Sequence, residues 1–363
     1  MYCYNCGNEI QPGQVYCTRC GSQVGQKKQT ASDDAVKDSV KKGMHDFTST
    51  INSLAGEGGD VDIDLGVLFS QVFQPHTKEE QEELFICGTK NTTPKESEIL
   101  DEWPKPWLYM RVLAVLAITF VCLLFISTVF NNTNGLPGTI FVGAMTIPFA
   151  LVVFFWETNA PRNISLIEVV KLFFLGGALS LVSTLILYAV IEVRELDYIG
   201  AILVGICEEI GKGIIIYQFL KAKQYRYILN GLLIGACIGA GFAVFETAGY
   251  AFNYLLAYGT GQMFDVLMLR GILSLGGHVV WSAMVGGGIV IAKTKNNALI
   301  QFMAIAIVLH AIWDMPIHFG SEFYLVQITL TVIAWIIILT LISSGLKQVK
   351  RISNYYKNLG QKK

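Results

Sequence analysis

From Trp107 to Leu346, apolar runs of membrane-spanning length follow one another, and one of them reads GICEEIGKGIII between Gly205 and Ile216. About 20 apolar residues cross ~30 Å of hydrocarbon as a helix, so these runs constrain the fold more than any other feature. A charged side chain at the bilayer centre costs roughly 2.5–3.5 kcal/mol even on a mild insertion scale. Glu208, Glu209 and Lys212 must therefore neutralise one another, perform chemistry, or do both. The runs predict eight spans, at 107–130, 136–156, 167–191, 199–220, 228–257, 271–292, 298–317 and 323–346. The fold class is an all-α polytopic membrane protein with a polar N-terminal region. The net charge of −1 argues against a general nucleic-acid binder, and no nucleic-acid partner is expected.

Lysine and arginine orient the spans. Lys105 and Arg111 flank the start of the first, Arg162 and Lys171 follow the second, Lys221, Lys223 and Arg226 follow the fourth, and Lys293 and Lys295 follow the sixth. The tail adds Lys347, Lys350, Arg351, Lys357, Lys362 and Lys363. The intervening connections hold few: Arg194 between the third and fourth spans, Arg270 beside Asp265 between the fifth and sixth. The expectation is a multi-pass protein of the cell membrane with both termini in the cytoplasm.

The chain opens CYNC-GNEIQPGQVY-CTRC-G, or C-x2-C-x10-C-x2-C. Cys3, Cys6, Cys17 and Cys20 offer four thiolates suited to tetrahedral zinc, and Gly7 and Gly21 permit the tight turn after each pair. Four thiolates leave no open coordination position, so this zinc is structural. A pair of disulfides is the competing reading; it conflicts with a cytosolic N-terminus. The unit resembles the short zinc ribbons at the N-termini of many prokaryotic membrane proteins, which implies a docking role toward an unidentified cytosolic partner. Four regions follow: the ribbon at 1–23, a partly ordered cytoplasmic linker with juxtamembrane helices at 24–104, the membrane domain at 105–346, and a basic tail at 347–363. Residues 22–34 read as a tether, residues 35–54 as a weak amphipathic helix, and Thr77 with Glu80 as a capping box. His76 reads as a solvated histidine.

Few other ionisable residues lie deep in the spans. They are Glu246 in the fifth, His278 in the sixth, and His310 and Asp314 in the seventh. At 1.5 Å per residue, Glu209 and Glu246 lie ~15 Å from their outer span ends, His278 and His310 ~10 Å, and Asp314 ~5 Å. One layer in the outer half of the bilayer thus collects groups from four helices. With neutral histidines that layer carries four carboxylates and one ammonium, which low dielectric does not tolerate unless protons or a divalent cation compensate. Interhelical polar contact is the bland alternative. Gly231, Gly235 and Gly239 recur every four residues in the fifth span, and Gly276, Gly277 and Gly286–Gly288 lie in the sixth. They read as close helix packing around a site, outside its chemistry.

EExxK (Glu208, Glu209, Lys212), FxxxE (Phe242, Glu246), a lone His278 and HxxxD (His310, Asp314), in that order, resemble the motif set of the PrsW intramembrane protease family. Related CAAX-endopeptidase and bacteriocin-immunity proteins carry EExxxR, FxxxH and HxxxN or HxxxD instead. The resemblance covers about residues 105–345. It implies hydrolysis of a peptide bond in membrane-anchored protein substrates, near the extracytoplasmic side, as in the cut of an anti-sigma factor. Glu209 or Glu208 would be general base, and Lys212 would hold the pair in place. His278 and His310 would be metal ligands or oxyanion donors. Asp314 would orient His310 or help bind a cation, and Glu246 would be a ligand or second acid. Two chemistries stay open: a zinc held by His278, His310 and a carboxylate such as Glu246, or a metal-free site. An ion- or proton-coupled transporter and a non-catalytic zinc-ribbon sensor are the rival functions; the absence of an inverted repeat disfavours the transporter.

Overall fold

The computed structural model describes residues 2–3, 8–11, 13–20, 31–59, 61, 63–192, 195–223, 225–317 and 324–360, with the backbone alone for 31–36 and 359–360. Cys6, Gly7, Gly21, Arg194, Lys362, Lys363 and most of the expected tether lie outside these. The chain divides into two compact units, Met1–Phe47 and Thr48–Lys363.

In the first unit, the Cys3, Cys17 and Cys20 sulfurs converge within 4.8 Å of one another. The Cys3 and Cys20 sulfurs stand 3.6 Å apart, too far for a disulfide bond. Zn–S bonds of ≈ 2.3 Å at a tetrahedral centre put sulfurs about 3.8 Å apart, so this spacing fits thiolates able to share a metal. The Cys3 N–H donates to the Asn8 carbonyl, and Gly13 at φ +95° turns the chain between the two cysteine pairs.

Thirteen α-helices are described. The N-terminal ones are α1 (Ala31–Leu54), α2 (Leu65–Leu68) and α3 (Lys78–Phe85). The apolar ones are α4 (Leu108–Val129), α5 (Leu136–Glu157), α6 (Leu166–Lys171), α7 (Gly177–Val190), α8 (Tyr198–Lys223), α9 (Ile228–Tyr258), α10 (Thr260–Leu273), α11 (His278–Ile291), α12 (Ala298–Asp314) and α13 (Leu325–Gly360). A π-helical turn, Leu172–Gly176, joins α6 to α7. Among the described residues, six stretches are long and apolar enough to cross a membrane: Leu108–Val129, Thr133–Glu157, Leu166–Val190, Ile228–Tyr258, Thr260–Ile291 and Leu325–Asn358. The other two expected spans are helices as well. However, α8 has three charged residues at its centre, and α12 has only 17 residues. Eight helical segments therefore stand where eight spans were expected, and six meet the standard of length and apolarity.

The connection expected between the fifth and sixth spans is itself helical. Gly259, at φ +88°, ends α9, and α10 then turns Met263 and Leu267 inward. As a result His278 opens α11, inside the apolar stretch Thr260–Ile291, which begins before 271.

Within the second unit α9 is central, with 94% of its apolar window buried, while α4 is peripheral at 6%. The seam between α9 and α11 shows what the glycine stripe does. A side chain at Gly231 would strike the Gly286 carbonyl, one at Gly235 the Ser282 carbonyl, and one at Gly239 the His278 carbonyl. The two backbones touch, which fixes the start of α11 against the middle of α9.

The polar N-terminal region packs in part onto this bundle. Asn52 is buried; it donates to the Gly59 carbonyl and accepts from Ser344 of α13, each at 2.9 Å. Lys295 reaches the Ser53 carbonyl and Arg351 pairs with Glu57. Thr77 and Glu80 form the capping box of α3. His76 departs from the sequence reading. Its ring stacks on Trp107 at 3.8 Å between centroids, and its nitrogens face Glu80 and the Gln71 carbonyl. The apolar ring of Trp107 gives it a partner that no local pattern shows.

Candidate active site

Four helices bring the charged residues to one place. On α8, Glu208, Glu209 and Lys212 are all buried. Lys212 Nζ lies 2.6 Å from Glu209 Oε1 and 3.7 Å from Glu208 Oε2, the i,i+3 and i,i+4 pairs that helical spacing predicts. Gly205 lets α12 approach this helix at Ala311 and Ile307, and Gly211 lets α7 approach at Thr184. Small residues thus flank the charged turn and seat it between neighbours.

The histidines complete the cluster. His310 of α12 presents Nδ1 to Glu209 Oε1 at 2.8 Å, and Nε2 to Asp314 Oδ2 at 3.3 Å and Glu208 Oε2 at 3.7 Å. His278 of α11 presents Nε2 to Glu246 Oε2 at 3.0 Å, and Nδ1 to Lys212 Nζ at 2.8 Å and Glu208 Oε2 at 3.8 Å. Trp281 stacks on the His310 ring at 4.6 Å, and Phe242 lies under both His278 and the Lys212 ammonium. All seven residues singled out in the sequence meet in this cluster.

A cavity of about 520 Å³ opens onto it. Glu208, Glu246, His278, His310 and Asp314 line the cavity, whereas Glu209 and Lys212 do not. The adjacent glutamates therefore face different surroundings, as a ~100° step around a helix requires. Glu208 looks into the cavity, and Glu209 lies behind it against Lys212 and His310.

Two neighbours were missed in the sequence. Tyr188, at the end of α7, donates from its hydroxyl to Glu208 Oε1 at 2.8 Å. Arg270 of α10 places Nη2 2.5 Å from Glu246 Oε2, with its guanidinium 4.3 Å from the centre of the Tyr250 ring. Arg270 had counted only as a loop charge. The signal that could have found it is the apolar spacing of Met263 and Leu267, which continues helically to a polar residue three positions on.

The donor set fits a metal ion. Glu208 Oε2 is buried and has no hydrogen-bond partner among the described residues. One nitrogen of each histidine faces it, and ligand atoms of Glu208, His278 and His310 lie within 4.8 Å of one another. The other nitrogen of each ring meets a carboxylate, Glu246 or Glu209, the outer-sphere partner that metal-bound histidines use. Charge agrees. Glu208, Glu209, Glu246 and Asp314 against Lys212 and Arg270 leave −2 with neutral histidines, the deficit one divalent cation fills. Lys212 competes for the same His278 nitrogen, so a cation on that ring requires the ammonium to move off it.

Residues 166–342 match the model of the family described as PrsW family intramembrane metalloprotease. Protease PrsW of Clostridioides difficile (strain 630) is 25% identical over 229 residues, covering 59% of this chain and 94% of that protein. No solved structure matches. The matched segment runs from α6 into α13 and contains every residue of the cluster, so the part of the chain that is similar to PrsW family intramembrane proteases is the part that builds this site.

Proposed function

We propose that the chain is an endopeptidase that cuts membrane-anchored proteins near the extracytoplasmic side, with Glu208, His278 and His310 holding a divalent cation. The Oε2 of Glu208, buried without a hydrogen-bond partner among the described residues and facing one nitrogen of each histidine, carries this reading. When bound, the cation would supply a Lewis acid and an acidified water. Each residue of the chain then has a distinct part. Glu209 accepts the Nδ1 proton of His310 and so directs the Nε2 lone pair of that ring toward the cavity. Glu246 does the same for His278, accepting from Nε2 and freeing Nδ1. Tyr188 fixes one oxygen of Glu208, which leaves the other free. Asp314 is the cavity carboxylate nearest His310 with the fewest partners, and it takes a proton from water and returns it to the leaving amine. Lys212 neutralises Glu209.

The membrane itself selects the substrate class: a cavity set among apolar helices meets polypeptide already in the bilayer. With the termini cytoplasmic, the cavity-bearing ends of α8, α9, α11 and α12 face outward. The polar N-terminal unit, with zinc on Cys3, Cys6, Cys17 and Cys20, docks a cytosolic partner. The decisive experiment expresses the chain with a single-span reporter carrying tags on both sides. Wild type is expected to release the outer tag, while Glu208→Gln and His310→Ala insert normally and leave it intact. Release by both variants would overturn the assignment.

A further inference from the structure

The segment 65–73, LGVLFSQVF, has two faces. Leu68 and Val72 are buried, whereas Leu65, Phe69 and Phe73 point outward, and Phe73 is 92% exposed. The exposed residues recur every four positions, an apolar stripe of the sequence that begins in α2 and continues through the turns after it. Phe85 and Ile86, at the end of α3, are exposed as well.

The level of this stripe relative to the bilayer follows from α4. Trp107 precedes that helix and Arg111 lies in its first turn. Tryptophan and arginine at the end of a membrane span sit at the headgroup layer. Arg111 stacks over Trp107 at 4.4 Å and donates to the carbonyl of Gln74 at 3.3 Å. His76 lies flat on the other partner, Trp107. Two contacts thus pin residues 74–76 to headgroup level, and Phe73 is the next residue. Beside it, α4 has few fully buried residues and exposes Val115, Ile118, Val121, Phe125 and Val129, apolar side chains that lipid must cover.

We propose that residues 65–73 form an in-plane anchor that inserts Phe69 and Phe73 into the leaflet surrounding the start of α4. The occupant of this apolar face is the bilayer. Nearby charge sets the kind of binding. The exposed face of α3 carries Glu79, Glu82 and Glu83 against Lys78. An acidic helix beside the stripe gives anionic headgroups no advantage, so insertion depends on apolar burial alone.

The test uses the full chain in nanodiscs of phosphatidylcholine, with and without phosphatidylglycerol. A photoreactive benzoylphenylalanine replaces Phe73 or, as control, exposed Glu83; mass spectrometry identifies the adducts. Position 73 is expected to give phospholipid adducts at least about tenfold above position 83, equally in both lipid mixtures. Lipid adducts no higher than at position 83, adducts to polypeptide, or a strong dependence on phosphatidylglycerol would overturn the proposal. Because a bulky probe can disturb the segment, Phe69→Asp with Phe73→Asp provides a second measurement. Amide exchange at 65–76 is expected to rise while α4 stays protected; unchanged exchange would equally overturn it.

Discussion

His310 Nδ1 lies 2.8 Å from Glu209 Oε1, a contact between buried groups on two helices that turns the other ring nitrogen toward the cavity. On the proposed reading Glu209 is a positioning residue, and Glu208, which faces the cavity, is the carboxylate that holds the cation. Glu208→Gln is expected to abolish cleavage. Glu209→Gln is expected to leave residual activity, reduced by roughly 10- to 100-fold, as losses of an outer-sphere carboxylate do. Initial rates on a membrane-anchored reporter compare them; a Glu209 variant as dead as the Glu208 variant would reverse the roles.

Metal content tests the two proposed cation sites. Purified full-length protein is expected to hold about two divalent ions per chain, one in the ribbon and one in the cavity. Cys17→Ser should remove one, and the pair His278→Ala with His310→Ala should remove the other. Elemental analysis reads both without an activity assay. Loss of only the ribbon ion across all variants would point to the metal-free chemistry.

Arg270 is expected to matter although no motif contains it. Arg270→Gln leaves Glu246 beside His278 without its guanidinium, and activity should fall about 10- to 100-fold. Arg270→Lys keeps the charge and should recover part of the loss, as should added guanidinium with the Gln variant. Rates unchanged in Arg270→Gln would reduce the pair to a helix clamp.

The seam between α9 and α11 predicts a sharp contrast among glycines. Gly235→Ala places a methyl group against the Ser282 carbonyl and should cost about 1–3 kcal/mol. Gly249→Ala, in the same helix, meets nothing within 4 Å and should be neutral or slightly stabilising. Thermal unfolding in detergent compares them.

The capping box of α3 gives a pH dependence outside the membrane. The Thr77 backbone N–H holds the Glu80 carboxyl below its usual 4.5. A depressed carboxylate contributes fully above that value, and the contribution is lost as pH falls through the lowered one. The protection factor for amide exchange at the first turn of α3, with the intrinsic pH dependence of exchange divided out, should therefore be constant from neutrality to about pH 5 and fall below about pH 4.5. Glu80→Gln, which has no carboxylate to titrate, should remove the dependence.

Much of the site was legible because its chemistry is costly in lipid. Glu208, Glu246, His278 and Asp314 stand out against apolar neighbours, and helical spacing gives the Lys212 and His310 pairs. What was hidden depends on tertiary approach. Arg270 lay in a stretch that reads as a connection, and only the turn at Gly259 folds it back. Tyr188 looks like any aromatic residue at a span end. The unequal environments of Glu208 and Glu209 follow from helix rotation, but sequence cannot say which faces the cavity. His76 seemed solvated because its partner, Trp107, lies 31 residues away. The eight expected segments are all helical, while charge in α8 and brevity in α12 set those two apart.

The bare contact of α9 with α11 also governs how the enzyme fails. Touching main chains cannot slide by small amounts, because the contacting glycines repeat every four residues and the next equivalent register lies about one helical turn away. His278 rides on that seam. Heat should therefore extinguish catalysis abruptly, together with the unfolding of the bundle, and not through gradual loosening of the imidazoles beforehand.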